Sequence, residues 1–402
     1  MIRKSINLLR EFSAFLLLGT VIALVWANLD YHSYHEFIDK PIAFLNFLGH
    51  HAGEPLPLTF HFIVNDMFMV LFFGIAMKEV SESFLPGGAL SSVSKASMPA
   101  IATMGGVLGP IAFFFAFLYL ANYSGEGIHD AWAVPTATDI AYSWLFAGII
   151  FGRKHPAVLF LLVLAVLDDL VGMIIIAVFY SGQIQIEYLL LVLAALLIAE
   201  IFRRMRVRTF WFYLLLPGIL SWYGLLKAGV HPSLALVPIM PFLPHSARDT
   251  GMFANDDRHD TMNEYEHFFK PVVDIGLFFF GLANAGVQLS AQSFLGAPTW
   301  AIFLSLFFGK TTGIFLFGYV SMLLGLKLPD RMHLKDLFVM GMVAGIGFTV
   351  ALFVATVASE AHPHWNEAGI TGMLKLGALL SFFSGVGAWV LSRILKTHKI
   401  NG

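Results

Sequence analysis

Asp168 and Asp169 stand side by side in the run Leu159–Phe179, where every other residue is apolar or glycine. That run is long enough to cross a bilayer, which takes about 20 mostly apolar residues. A carboxylate at membrane depth costs at least about 2.5–3.5 kcal/mol on insertion scales, so two together need a compensating use. A third acid, Asp139, lies in the preceding apolar segment, and Lys310 and Lys375 lie in later ones. Ionisable groups of both signs in apolar segments point to ion or proton transport. The three carboxylates offer hard oxygens suited to a small alkali cation or to protons. Low dielectric and mutual repulsion favour a proton on at least one of them. One carboxylate then holds a proton or a cation but not both, and that competition is the physical core of exchange. The competing reading, acids at a helix end paired with Arg or with water, fits poorly about ten residues into an apolar run.

Lys310, in Phe307-Phe-Gly-Lys-Thr-Thr-Gly313, can pair with one of these acids when no cation is bound, and can release a proton on losing that partner. Snorkelling is the alternative, and it suits Lys375, nearer a span end, better than Lys310. His231, beside Pro232, is either a proton-sensitive group or a structural histidine. Glu79 and Glu82 lie beside Lys78 at the cytoplasmic end of the second apolar segment and read first as charges capping a helix.

The elements that carry these residues are membrane spans. Hydrophobic residues make up 58% of the 402 and charged ones only 12%, about half the share of a soluble domain. A net charge of −2 gives no reason to expect a nucleic-acid partner, and the absence of cysteine excludes disulfides and thiolate chemistry. Nothing points to a cofactor. Apolar segments separated by polar or Pro/Gly breaks predict about 12 transmembrane helices, at 12–29, 59–80, 98–121, 131–150, 157–181, 187–202, 209–225, 229–243, 271–291, 299–325, 336–358 and 370–393. The first reads as an uncleaved helix rather than a signal peptide, because no small-x-small site follows it. If both termini are cytoplasmic, every Lys and Arg falls on the inside except Lys40, Lys227, Lys310 and Lys375. The hydrophilic stretch His245–Lys270 reads as a cytoplasmic loop, and Pro55–Val64 as the place for a short strand. A multi-pass membrane protein follows.

Two spans carry interruptions. Trp132-Ala-Val-Pro-Thr-Ala-Thr-Asp139 has a proline that removes a helix hydrogen bond, and Gly341-Met-Val-Ala-Gly-Ile-Gly-Phe-Thr349 has glycines that weaken one. Pro135 alone equally fits a kink, and Gly345 and Gly347 equally fit close packing. As a pair, with an acid beside one, they point to a site between inverted repeats of a transporter.

The segments Ala133–Ala141, Leu164–Leu170, Leu282–Val287, Gly345–Thr349, Lys227–His231, Gly309-Lys310 and Lys375-Leu-Gly377 together resemble the NhaA-type sodium/proton antiporters, over nearly the whole membrane region. The resemblance implies an all-α polytopic fold of twelve helices. Core repeats would lie at about 98–181 and 299–393, with two discontinuous crossing helices, and the remaining helices would form an interface part of one membrane domain. It implies Asp169 as principal ligand of the transported Na+, with Asp168 as co-ligand exchanging a salt bridge with Lys310, and Asp139 and Thr138 in the crossing region. It also implies electrogenic export of Na+ or Li+ against H+, activation at alkaline pH and a possible homodimer. Candidates for pH control are Glu79, His231, Glu264 and Glu266. The segment-two end departs from the family pattern, with Ser81 and Glu82 where a Lys-Arg pair is usual; Val171 stands for a glycine, Phe278 for a proline, and Asp274 is an added acid. Regulation and cation preference are therefore open, and another monovalent cation/proton exchanger or a cation-coupled symporter is the alternative. An intramembrane aspartyl protease would want a Gly-x-Gly-Asp element, which does not occur.

Overall fold

The structure, a computed structural model, describes residues 14–45, 55–245, 260–397 and Lys399, apart from Gly87, Ala89, Ser92, Glu126 and Gln183. Arg3, Lys4, Arg10 and the charged run from Arg248 to His259 lie outside the described residues. The chain divides into two compact units, Met1–Ser91 with Met173–Gly286, and Ser92–Gly172 with Val287–Gly402.

The first unit opens with helix Ala14–Leu29 and the short helix Tyr31–Asp39, capped by Asp30, whose carboxylate accepts the Ser33 N–H at 3.0 Å. Ala43–Leu45 then pairs antiparallel with Leu56–Leu58, so the strand expected after Pro55 is present. Helix Ala14–Leu29 crosses helix Thr261–Asn284 with almost no space between backbones: a Cβ on Gly19 would sit 2.0 Å from the Phe278 carbonyl oxygen. Helix Ile186–Arg204 shows how a membrane inverts the usual pattern. Leu190, Leu193, Leu197 and Ile201 form an exposed stripe while the small Ala195 and Ala199 are buried, as lipid contact favours.

Two expectations need correction in this unit. Residues 229–243 do not form a span-like helix; they hold the 3-10 turns Pro232–Leu234 and Met240–Phe242. Pro232, Pro238 and Pro241 each remove a donor, so a continuous ladder cannot form. The polar stretch ending at Lys270 is not all loop either. Asp260 accepts the Asn263 N–H at 2.9 Å and starts a helix that runs unbroken through Pro271 to Asn284, burying Met262, Tyr265 and Phe269 on one face. Every other expected span falls on a helix or on successive helical segments. Among the described residues, five helices are long and apolar enough to cross a membrane, or up to seven if each of two bent pairs is one span. The chain is an all-α polytopic membrane protein.

In the second unit, counting the helix that begins in it at Pro156 and ends past Gly172, one sequence of parts occurs twice: a long helix, a broken span, a long helix. The first set is Val93–Leu120, Ile128–Thr136 with Ile140–Phe151, and Pro156–Phe179. The second is Ala297–Leu323, Leu334–Ala344 with Phe348–Ala361, and Ile370–Ile394. The leading helices of the two sets cross on glycines. A Cβ at Gly105 would lie 2.2 Å from the Gly313 carbonyl oxygen, and one at Gly109 would lie 2.4 Å from that of Gly309. Both pairs have the small-xxx-small spacing that lets membrane helices touch backbone to backbone. Gly313→Ala is accordingly expected to cost about 1–3 kcal/mol through overpacking, read as a lowered midpoint in thermal unfolding of the detergent-solubilised protein. A wild-type midpoint would mean the two helices do not meet there.

Candidate functional site

The site is assembled where the two broken spans meet. In the first, Pro135 and the residues after it end the 3-10 helix at Thr136. Ala137 turns extended, and Asp139 caps the next helix by accepting the Tyr142 N–H at 3.2 Å. The halves differ in direction by 47°. In the second, the break falls at Gly345–Gly347 and the halves differ by 45°. Neither glycine has a left-handed backbone. Close approach explains Gly345: a Cβ there would stand 2.4 Å from the Leu306 carbonyl oxygen.

Each break satisfies polar groups the other has freed, as buried backbone must in a membrane. The Asp139 N–H donates to the Ile346 carbonyl at 2.6 Å, the Thr138 hydroxyl to that of Ala344 at 2.9 Å, and the Ser143 hydroxyl to that of Val343 at 3.1 Å. In return Asp139 Oδ2 accepts the Thr349 N–H at 3.1 Å together with the Thr349 hydroxyl. One carboxylate thus faces the N-terminal ends of both second halves, where a negative charge is favoured.

Lys310 arrives from the helix that crosses on glycines, at the end of a π-helical turn, Ser305–Lys310. Its ammonium donates to Asp168 Oδ2 at 2.5 Å and to the Thr136 carbonyl, the C-terminal end of the first broken half. Both side chains of this ion pair are wholly buried. Asp169, one residue on, is sorted differently. Its Oδ1 is buried with no hydrogen-bond partner, and the charges it feels are Asp168, Asp139 and Lys310. Asp168 Oδ1 is likewise unpartnered, but the lysine pairs with the other oxygen of that acid; Asp139 is thus held by helix ends, Asp168 by a lysine, and Asp169 by neither. An orphaned buried carboxylate oxygen is costly unless a proton or a cation takes it.

A family model described as Na+/H+ antiporter 1 matches residues 5–391. The chain belongs to that family. Among relatives, the Na+/H+ antiporter NhaA of Geobacter sulfurreducens is 48% identical over 99% of this chain and 100% of its own. The NhaA of Desulfitobacterium hafniense is 44% identical over 99% and 98%. Among solved structures, the sodium proton antiporter MjNhaP1 of Methanocaldococcus jannaschii matches with a TM-score of 0.52 at 14% identity, covering 98% of each chain, which is a likeness of fold.

This member of the antiporter family brings Asp139, Thr138, Asp168, Asp169 and Lys310 together in one unit. Lys375 faces Glu360 instead. Of the residues expected to govern pH response, Glu79 and Glu266 meet in the first unit around Lys78, whose ammonium lies 2.6 Å from Glu266, 2.7 Å from Glu82 and 3.6 Å from Glu79. Lys78 itself is only 3% exposed, so these charges are a buried cluster between two helices, not caps of one. Glu264 is exposed and takes no part in it. His231 is buried, with Nδ1 2.8 Å from the Ser233 hydroxyl and Nε2 3.8 Å from Asp66. The Thr136 hydroxyl bonds the backbone, at the Ala133 carbonyl, as its short polar side chain suggests; sequence reasoning missed that its carbonyl receives Lys310, and gave no role to Thr349. The latter ends the Gly-rich motif at the position of a second helix start, which is the signal that could have found it.

Proposed function

We propose that this chain exchanges Na+ or Li+ for H+ across a bacterial inner membrane, with both termini cytoplasmic. The observation that carries the reading is the unpartnered Asp169 oxygen beside an Asp168 already neutralised by Lys310. In the proton-loaded state Asp169 holds a proton and Lys310 keeps its own on Asp168. A cation arriving at Asp169 displaces that proton and competes for Asp168, with Thr138 close by. Lys310 then loses its carboxylate partner and can yield a second proton. One cation displacing two protons moves net charge, so the exchange is electrogenic. A core made of the twice-repeated helix set would carry the site from one side to the other, crossing only when proton- or cation-loaded. The remaining helices would form the interface part. The strand pair, with Ile42 and Phe44 exposed, offers a place for a homodimer contact. The Lys78 cluster, with three carboxylates from two helices around one ammonium, is where pH control is assigned, with His231 and Asp66 as a second group.

Inside-out vesicles carrying the protein and a proton-gradient dye test this directly. Added NaCl or LiCl is expected to collapse the gradient, increasingly so at alkaline pH, while KCl has little effect. No response to any of the three cations, at mildly acidic, neutral or alkaline pH, would remove the exchange reading.

A further inference from the structure

We propose that Ser381 is a positioning residue for the cation site, acting through Asp139; this rests on the exchange reading above. Ser381 lies in the last span, where helix Ile370–Leu380 gives way to Phe383–Ile394. Its hydroxyl donates to the Ala378 carbonyl at 2.6 Å and accepts the N–H groups of Gly347 and Phe348, each at 3.1 Å. A hydroxyl has one proton and two lone pairs, so every bond it can make is made, and the residue is fully buried.

The two N–H groups it takes belong to the start of the half-helix Phe348–Ala361, whose first donors have no partner within the helix. The next donor, the Thr349 N–H, goes to Asp139 Oδ2. Three successive donors at one positive helix end are thus divided between a neutral hydroxyl and a carboxylate. This division sets the position of Asp139. Without the hydroxyl, two buried N–H groups would face no acceptor, and Asp139, the anion already touching that end, would be drawn toward them. Its other oxygen would then leave the Tyr142 N–H, and its field at Asp169 would weaken. The charged groups around this point are Asp139, Asp168, Asp169 and Lys310. A less negative surrounding for Asp169 lowers its hold on a cation without removing any ligand.

The test uses the full chain as wild type, Ser381→Ala, Ser381→Cys and Ser381→Thr. Sodium-dependent exchange in vesicles gives KM and maximal rate, and hydrogen–deuterium exchange in detergent follows the peptide 345–351. Ser381→Ala is expected to raise KM for Na+ about fivefold, the equivalent of about 1 kcal/mol, with little change in maximal rate and faster exchange of the Gly347 and Phe348 amides. Ser381→Thr, which keeps the hydroxyl, should restore both. Ser381→Cys, similar in size but a weak acceptor, should follow alanine, and it stands in if the alanine protein does not accumulate. A lowered thermal midpoint with unchanged KM would overturn the proposal in favour of a merely structural serine. Unchanged amide exchange would overturn it at its first step. A wild-type protein that exchanges no cation would overturn the function reading, and with it the action of Ser381 on the cation site; amide exchange would still report separately whether the serine holds the break.

Discussion

Asp169→Asn is expected to abolish cation-driven proton movement while the protein still inserts and folds. Asparagine matches the carboxylate in size and keeps an oxygen at the same place, but it cannot take up a proton or present a full negative charge. Asp168 and Asp169 each keep a buried Oδ1 without a hydrogen-bond partner, but only Asp168 has an ammonium on its other oxygen, so Asp169 is the acid whose charge Lys310 does not pair. Losing the charge of one ligand in a buried polar site costs about 2–5 kcal/mol, which is about 30- to 5,000-fold in cation affinity. The amide has a further consequence: with no titratable group at the position, cation binding displaces no proton from it, so binding and proton release uncouple even at saturating sodium. Folding should be spared, because the change removes a buried charge instead of creating one. The measurement is dye-monitored gradient collapse in inside-out vesicles, set beside the amount of folded protein in the membrane. Sodium-driven proton movement at a wild-type rate in Asp169→Asn would remove Asp169 from the site.

How much of this was legible beforehand follows from what a membrane does to sequence patterns. Ionisable residues in an apolar run stand out, so Asp139, Asp168, Asp169 and Lys310 could be picked from the chain alone, and Pro135 in one span with Gly345 and Gly347 in another located both breaks. What an apolar chain hides is which face of each helix is inward. In Ile186–Arg204 the exposed residues are leucines and the buried ones alanines, so no polar stripe marks the contact. The crossing of Gly105 and Gly109 with Gly309 and Gly313, which brings the Lys310 helix into place, was hidden for that reason. Boundaries failed where polarity was equated with loop: Glu264, Glu266 and Lys270 lie on a helix because Asp260 caps it and Tyr265 and Phe269 bury its other face. Glu266 then reaches Lys78 from far along the chain. Ser381 and the Thr136 carbonyl carried no signal at all. A serine in an apolar span and a backbone carbonyl look like any other until the fold places a donor against them.

Lys310→Met has the second large effect, and its direction can be separated into two parts. The Lys310–Asp168 pair is wholly buried, so removing the ammonium leaves an uncompensated carboxylate and a Thr136 carbonyl without its donor. Breaking a buried pair from one side costs about 3–5 kcal/mol, whereas replacing both partners with neutral groups is often close to neutral. Lys310→Met is therefore expected to lower the thermal midpoint in detergent markedly at neutral and alkaline pH. The loss should shrink as pH falls and a proton neutralises Asp168. Asp168→Asn placed on top should recover most of the stability and none of the exchange, because the acid that shares the cation is gone as well. The double-mutant cycle is the informative form of the experiment, since it distinguishes a coupled pair from two residues that are each merely buried. Additive losses in the four proteins would mean that Lys310 and Asp168 do not depend on each other. The lysine would then have no part in coupling cation entry to proton release, and one cation would displace the Asp169 proton alone.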